Sequence, residues 1–153
     1  MRGANPPIVG FYPGDRETGI PKDAARNVRA TQEFVVNLVD QELAEPMTRT
    51  ASSLPYGQDE LKQAGLTTRP SSVVRPPRIA ESPASLECTE SGTIPIGHSR
   101  LITGLVKRVH GRDDLIDPGT RRINSALFRP VGRMASPDWY GRTNDRFERR
   151  RPE

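Results

Sequence analysis

The sequence predicts a mainly β fold with a few short helices, and three stretches carry that reading. Phe34-Val35-Val36-Asn37-Leu38-Val39 is apolar on both faces except at Asn37, as in a strand covered on both sides. Ala84-Ser85-Leu86-Glu87-Cys88-Thr89 alternates with a period of two, placing Ala84, Leu86 and Cys88 on one face. Leu101 to Val109 is the longest strand-like run. Leu101, Thr103, Leu105, Lys107 and Val109 share one side of it, and Ile102, Gly104, Val106, Arg108 and His110 the other.

The remaining elements follow in order. Pro7 to Tyr12 reads as a short strand ended by Pro13-Gly14-Asp15. A loop from Arg16 to Ile20 leads to a helix starting at Pro21, whose missing N–H is no loss in a first turn and whose Asp23 favours the positive helix end. Ala24, Ala25 and Val28 form its apolar stripe. Glu33 then opens the first of the three strands. Asp40 can cap a helix over 41–48 with Leu43, Ala44 and Met47 inward, shortened or kinked by Pro46. Asp59 to Ala64 makes about a turn and a half before Gly65. Residues 67–83, rich in Ser, Pro and Arg, read as an extended connection across the fold. Gly104 in mid-strand predicts a close approach by a ligand or another backbone, or a bulge. Arg112 to Pro118 is a turn, Ser125 to Arg129 a short helical or capped segment, and Val131 to Arg149 a tail without hydrophobic periodicity.

At 153 residues with 33% apolar and 5% aromatic content and 15 prolines, the chain makes a single domain with a thin core. The pI near 9.7 comes with a net charge of only +4. Basic residues are dispersed except at Arg146 and Arg149 to Arg151, without zinc-ligand spacing or aromatic–basic interleaving, so no nucleic-acid partner is expected and 148–153 reads as a disordered, solvated tail. The one cysteine, Cys88, excludes an intramolecular disulfide and reads as a small core residue. No stretch approaches the length of a membrane span or a signal peptide, and the expected location is cytoplasmic. His98 and His110 are too few and too far apart to suggest a metal site. Lys22 lies where a helix N-terminus favours phosphate, but spacing alone favours reading it as a solvated lysine on an ordinary surface helix.

Four segments, PKDAARNVRATQEFVVNLV, PPRIAESPASLEC, ITGLVKRVHGRDDLID and LFRPVGRMASPDWYGRTNDRF, resemble in order those of the flavin reductase-like family, whose fold is an FMN-binding split β-barrel. The family carries a first strand pair and a Ser-x-Phe-Asn-like segment ahead of the position matching Asn5-Pro6-Pro7, so the resemblance predicts a barrel incomplete at the N-terminus.

The resemblance implies NAD(P)H-dependent reduction of FMN, with FAD as the alternative flavin, in a homodimer that supplies a flavin-dependent monooxygenase. No catalytic acid or base is called for. Lys22 matches the family's phosphate-contacting lysine, Asp23 its motif partner, expected to cap the helix rather than touch the ligand, and Ala24 a position usually held by threonine. Asn27 and Asn37 match structural asparagines, and Ala135-Ser136 replaces a Gly-Gly pair. Tyr140 and Arg142 match a terminal Tyr-x-Arg that either reaches the partner subunit's flavin or packs within its own subunit. The alternative reading is a catalytically inactive fragment of the fold that serves at most as a flavin-binding or dimerising module.

Overall fold

In the computed structural model, residues 5–149 apart from 18, 53, 56, 144 and 146 are described. The elements run β1 (Ile8–Phe11), β2 (Asp15–Glu17), β3 (Ile20–Pro21), α1 (Asp23–Thr31), β4 (Glu33–Asn37), α2 (Ala44–Arg49) and α3 (Glu60–Gln63). They continue through β5 (Thr68–Arg69), β6 (Arg78–Ile79), β7 (Ala84–Ile96), β8 (Ser99–Gly111), β9 (Val131–Ala135) and β10 (Trp139–Arg142). The scaffold is one antiparallel sheet in the order β1-β8-β7-β4, so the fold is mainly β, as predicted, and its sheets are not closed.

The centre of the sheet is the hairpin of β7 and β8, 13 residues each, reversed at Gly97 in a left-handed conformation (φ 57°) that costs glycine no steric strain. β7 runs well past Thr89, because its second half is held by register with β8 (Ile94 opposite Leu101) and not by a local apolar alternation. Its register shifts at Glu87/Cys88 and again at Glu90/Gly92.

Cys88 is a core residue, as predicted. Ile102 and Cys88 are fully buried and pack with Phe34 of β4 and with Ala25 and Val28 of α1, while Leu86 and Val106 support them. Gly104 is required by that packing. A Cβ there would lie 2.5 Å from Phe34 Cζ and 3.0 Å from the Thr89 carbonyl oxygen, so the close approach is by a side chain and the neighbouring backbone. Asn37 is structural: its Oδ1 accepts the Ile79 amide (3.0 Å) and the Ser85 hydroxyl (2.9 Å).

Several boundaries move. α1 begins at Asp23 because Pro21 pairs with Asp15 in β3 and Lys22 is extended (φ −60°, ψ 156°); it ends at Gln32 (φ 57°). Asp40 does accept the Leu43 amide (3.0 Å), but the chain only turns there, and the helix α2 starts at Ala44. α3 is capped by Asp59 as expected. Residues 125–127 form a capped turn and not a helix, the second of the two forms expected, with the Asn124 side chain accepting the Ala126 amide (3.0 Å). The tail forms a hairpin, β9 with β10, tied to the sheet region through the Val131 amide and the Val39 carbonyl (2.9 Å). No helix among the described residues is long and apolar enough to cross a membrane.

Candidate functional site

The start of α1 carries no side-chain cap. Helix N-termini leave amides without helical acceptors, and here the first helical bond runs from the Arg26 amide to the Lys22 carbonyl (3.1 Å). The amides of Asp23, Ala24 and Ala25 therefore have no helical acceptor, and Lys22 offers no side-chain cap. The exposed Lys22 ammonium makes no hydrogen bond or ion pair among the described residues. Asp23 does not turn back to cap the helix; its Oδ2 is 2.7 Å from Arg16, whose other nitrogen reaches the Leu54 carbonyl at 3.3 Å. Arg16 is thus a second cation at this end, placed from the preceding strand. Only its position in the loop region before Pro21 hinted at that. Ala24 is exposed and adds no polar group.

Tyr140 and Arg142 lie elsewhere. Both are exposed on β10, opposite Arg133 and Val131 of β9, and neither makes a hydrogen bond or ion pair with Lys22, Asp23 or Ala24. Beside them Trp139 and Met134 are 69% and 73% exposed. Arg149 covers the Phe147 ring at 4.9 Å; Arg146 and 150–153, where much of the predicted basic tail falls, lie outside the described residues.

Between α1 and β4 runs an open, mostly apolar groove of about 700 Å³. Phe11, Ala24, Asn27, Val28 and Phe34 line one side and Arg75 to Pro77 the other. The second wall is a strap fixed by two carboxylates. Glu33 accepts the Arg75 amide (3.0 Å) and its Nε (2.9 Å), and these bonds hold its carboxyl below the usual range.

Glu87, unnoticed as a functional candidate in the sequence, is fully buried and accepts the Ser72 (2.8 Å) and Val73 (2.7 Å) amides and His110 Nε2. Burial opposes its ionisation, yet the two amides and His110 outweigh it and keep the carboxyl below its ordinary value. Cys88 is a core residue, its thiol pushed up to about 11 by burial.

Residues 3–126 match the family described as the flavin reductase like domain. An uncharacterized protein of Deinococcus radiodurans is 40% identical over 149 residues, 97% of this chain and 66% of the relative. This chain thus spans just under two thirds of that relative's length. Among solved structures, nitrilotriacetate monooxygenase component B from Bacillus cereus is similar with a TM-score of 0.88 and 29% identity, over 96% of this chain and 74% of that one. A split-barrel-domain protein from Shewanella frigidimarina has a TM-score of 0.82 over 99% of this chain and 74% of its own; at 21% identity it shows the fold alone.

Proposed function

The chain belongs to the flavin reductase like family, and from that premise we propose that it is a flavin-binding oxidoreductase whose FMN phosphate is held at the N-terminus of α1. The observation that carries the reading is the convergence there of Lys22, without a partner among the described residues, with uncapped amides at Asp23, Ala24 and Ala25. A helix N-terminus with a free ammonium suits a phosphate dianion in both charge and hydrogen-bond direction. In this reading Lys22 neutralises the phosphate, the amides orient it, and Asp23 holds Arg16 close by as a second cation. Ala24 supplies no hydroxyl. Its substitution for the family's threonine removes one charge-assisted hydrogen bond, about 1.5–3 kcal/mol, or roughly ten- to hundredfold in Kd.

When bound, a flavin supplies the hydride chemistry, with NAD(P)H as the donor. The protein's share is to hold and orient the reactants, which needs no acid–base pair. We further propose a homodimer in which Tyr140 and Arg142 extend toward the partner copy, a reading that the exposed Trp139 and Met134 beside them support. Likeness to a monooxygenase component B supports delivery of reduced flavin to a flavin-dependent monooxygenase.

Quenching of flavin fluorescence on titration tests the site. Lys22→Ala is expected to weaken FMN binding and Ala24→Thr to tighten it by about tenfold or more. Unchanged Kd in both variants would overturn the phosphate assignment, and no binding by the wild type would leave the inactive-fragment reading.

A further inference from the structure

The open end of the β7–β8 hairpin, where Ala84 pairs with Gly111, borders a separate cavity of about 80 Å³. Its wall is made by Arg69 of β5, by residues 78–85 from β6 into β7, and by His110 to Arg112 at the close of β8. It shares no lining residue with the apolar groove or with the start of α1.

The charge of this wall is one-sided. The guanidinium groups of Arg69, Arg78 and Arg112 border the space together with His110, and no carboxylate lines it. Arg69 and Arg78 are moreover direct cross-strand partners in the two-residue ladder of β5 and β6. Like charges placed opposite each other weaken a ladder, so this short pairing is set against its own electrostatics. The carboxylates nearby are engaged elsewhere. Glu87, 3.9 Å from Arg78, already accepts the Ser72 and Val73 amides and His110 Nε2. Glu81, with the charge of Arg69 nearby, takes the Thr67 amide on both oxygens (3.1 and 3.2 Å). Arg112 has Asp114 at 3.2 Å and Asp40 at 3.9 Å, both outside the wall.

Donors remain for a ligand. A guanidinium carries five N–H groups, and the Pro70 carbonyl engages only Nε and Nη2 of Arg78 (3.3 and 3.2 Å). The wall serines, by contrast, give their protons to the protein: Ser82 to the Leu38 and Ala84 carbonyls, Ser85 to Asn37. The cations are therefore what a ligand meets. The space lies far below the about 300–1,000 Å³ of pockets for drug-sized ligands, and holds the equivalent of a few waters at about 30 Å³ each.

We propose that this cavity binds a small, doubly charged oxyanion of the phosphate or sulfate type, held by Arg69, Arg78 and Arg112. Such an ion removes the repulsion across the β5–β6 ladder and joins it to the end of the central hairpin. Arg69 and Arg78 stand at the two ends of the strap that walls the groove, so the ion also fastens that wall. The inference rests on the cavity's charge and not on the flavin reading.

Inorganic phosphate and sulfate are titrated calorimetrically into the full chain at fixed ionic strength, with acetate and chloride as controls, and amide hydrogen exchange locates the ion on the wild type. One saturable site is expected for both dianions, with slower exchange within 68–69, 78–85 and 110–112. Arg69→Gln and Arg112→Gln change exposed side chains and should each weaken binding about tenfold or more. Lys22→Ala should leave it unchanged. The proposal is overturned if neither dianion binds saturably, if acetate or chloride binds as tightly, if both arginine variants bind like the wild type, or if protection misses these segments. The wild-type exchange map decides the question even where a variant fails to fold. Binding abolished by Lys22→Ala would assign the ion to α1, overturning this site while supporting the flavin-phosphate reading.

Discussion

Adding one methyl group at Gly104 tests the packing on which the sheet depends. In Gly104→Ala the new Cβ would lie 2.5 and 2.6 Å from two Phe34 ring carbons and 3.0 Å from the Thr89 carbonyl oxygen. Carbon atoms rest at roughly 3.5–4.0 Å, so the ring must retreat, while the Thr89 oxygen is backbone and yields little. Retreat is obstructed because Phe34 is 7% exposed and already meets Phe11. Overpacking of this kind costs about 1–3 kcal/mol, against about 0.5–1 kcal/mol gained because alanine loses less chain entropy than glycine in a strand. The clash wins, with a net loss of about 1–2 kcal/mol and a Tm lower by about 2–8 °C for a chain of this size. Thermal and urea unfolding of the wild type, Gly104→Ala, Phe34→Leu and the double variant form the assay. Truncating the ring should remove most of the penalty of the alanine, giving a coupling of about 0.5–2 kcal/mol. A Gly104→Ala protein as stable as the wild type, or a coupling near zero, would refute the argument that Phe34 claims the space.

The remaining predictions concern charge, the strap and the tail. Because the folded-state pKa of Glu87 lies below its unfolded value, its stabilisation is complete above the ordinary carboxylate range and is lost as pH falls through the folded pKa. Urea midpoints should therefore drop on acidification, and less steeply in Glu87→Gln, which already lacks the charge; parallel slopes would count against this role. At neutral pH, Glu87→Gln should cost about 1–3 kcal/mol, since a buried amide NH2 cannot accept the Ser72 or Val73 amide. Removing the Asp59 cap with Asp59→Ala should cost about 0.5–2 kcal/mol and free the Leu61 and Lys62 amides to exchange faster. Deleting everything after Ser136 removes β10 with its exposed Trp139, and by light scattering the proposed dimer should become monomeric. Retention of dimer mass would sink the β10 interface.

The legible parts of the fold were those whose signals are local. Period-two alternation put Leu86 on the face of the core residue Cys88 and grouped Ile102 with Val106 without telling which side of that strand is buried, and the bare mid-strand position Gly104 announced a close neighbour without saying that it was Phe34. Lys22, Asp23 and Ala24 come together because they are consecutive, whereas Tyr140 and Arg142 have no bond to them within the chain. What escaped the sequence was decided by distant partners. Pro21 left the helix because Asp15 claimed it for β3, and the Asp15 carboxylate is itself held by Arg100 at 2.6 Å. Glu87 reads as an outward-facing strand residue until the strap lays the Ser72 and Val73 amides over it. The β9–β10 hairpin carries no periodic signal because Met134 and Trp139 face outward and not into a core.

The solitary thiol gives the molecule its own clock. Cys88 lies on an inner strand, fully buried between β4 and β8, and its pKa near 11 leaves almost no thiolate at neutral pH. Alkylating reagents act on the thiolate of an accessible cysteine, so labelling must wait for the centre of the sheet to open. When reclosing outpaces reaction, the labelling rate reports the population of the opened state and hence the free energy of opening under native conditions. Since the chain has one cysteine, the growth of a single-adduct mass shift follows that opened population without introducing any probe.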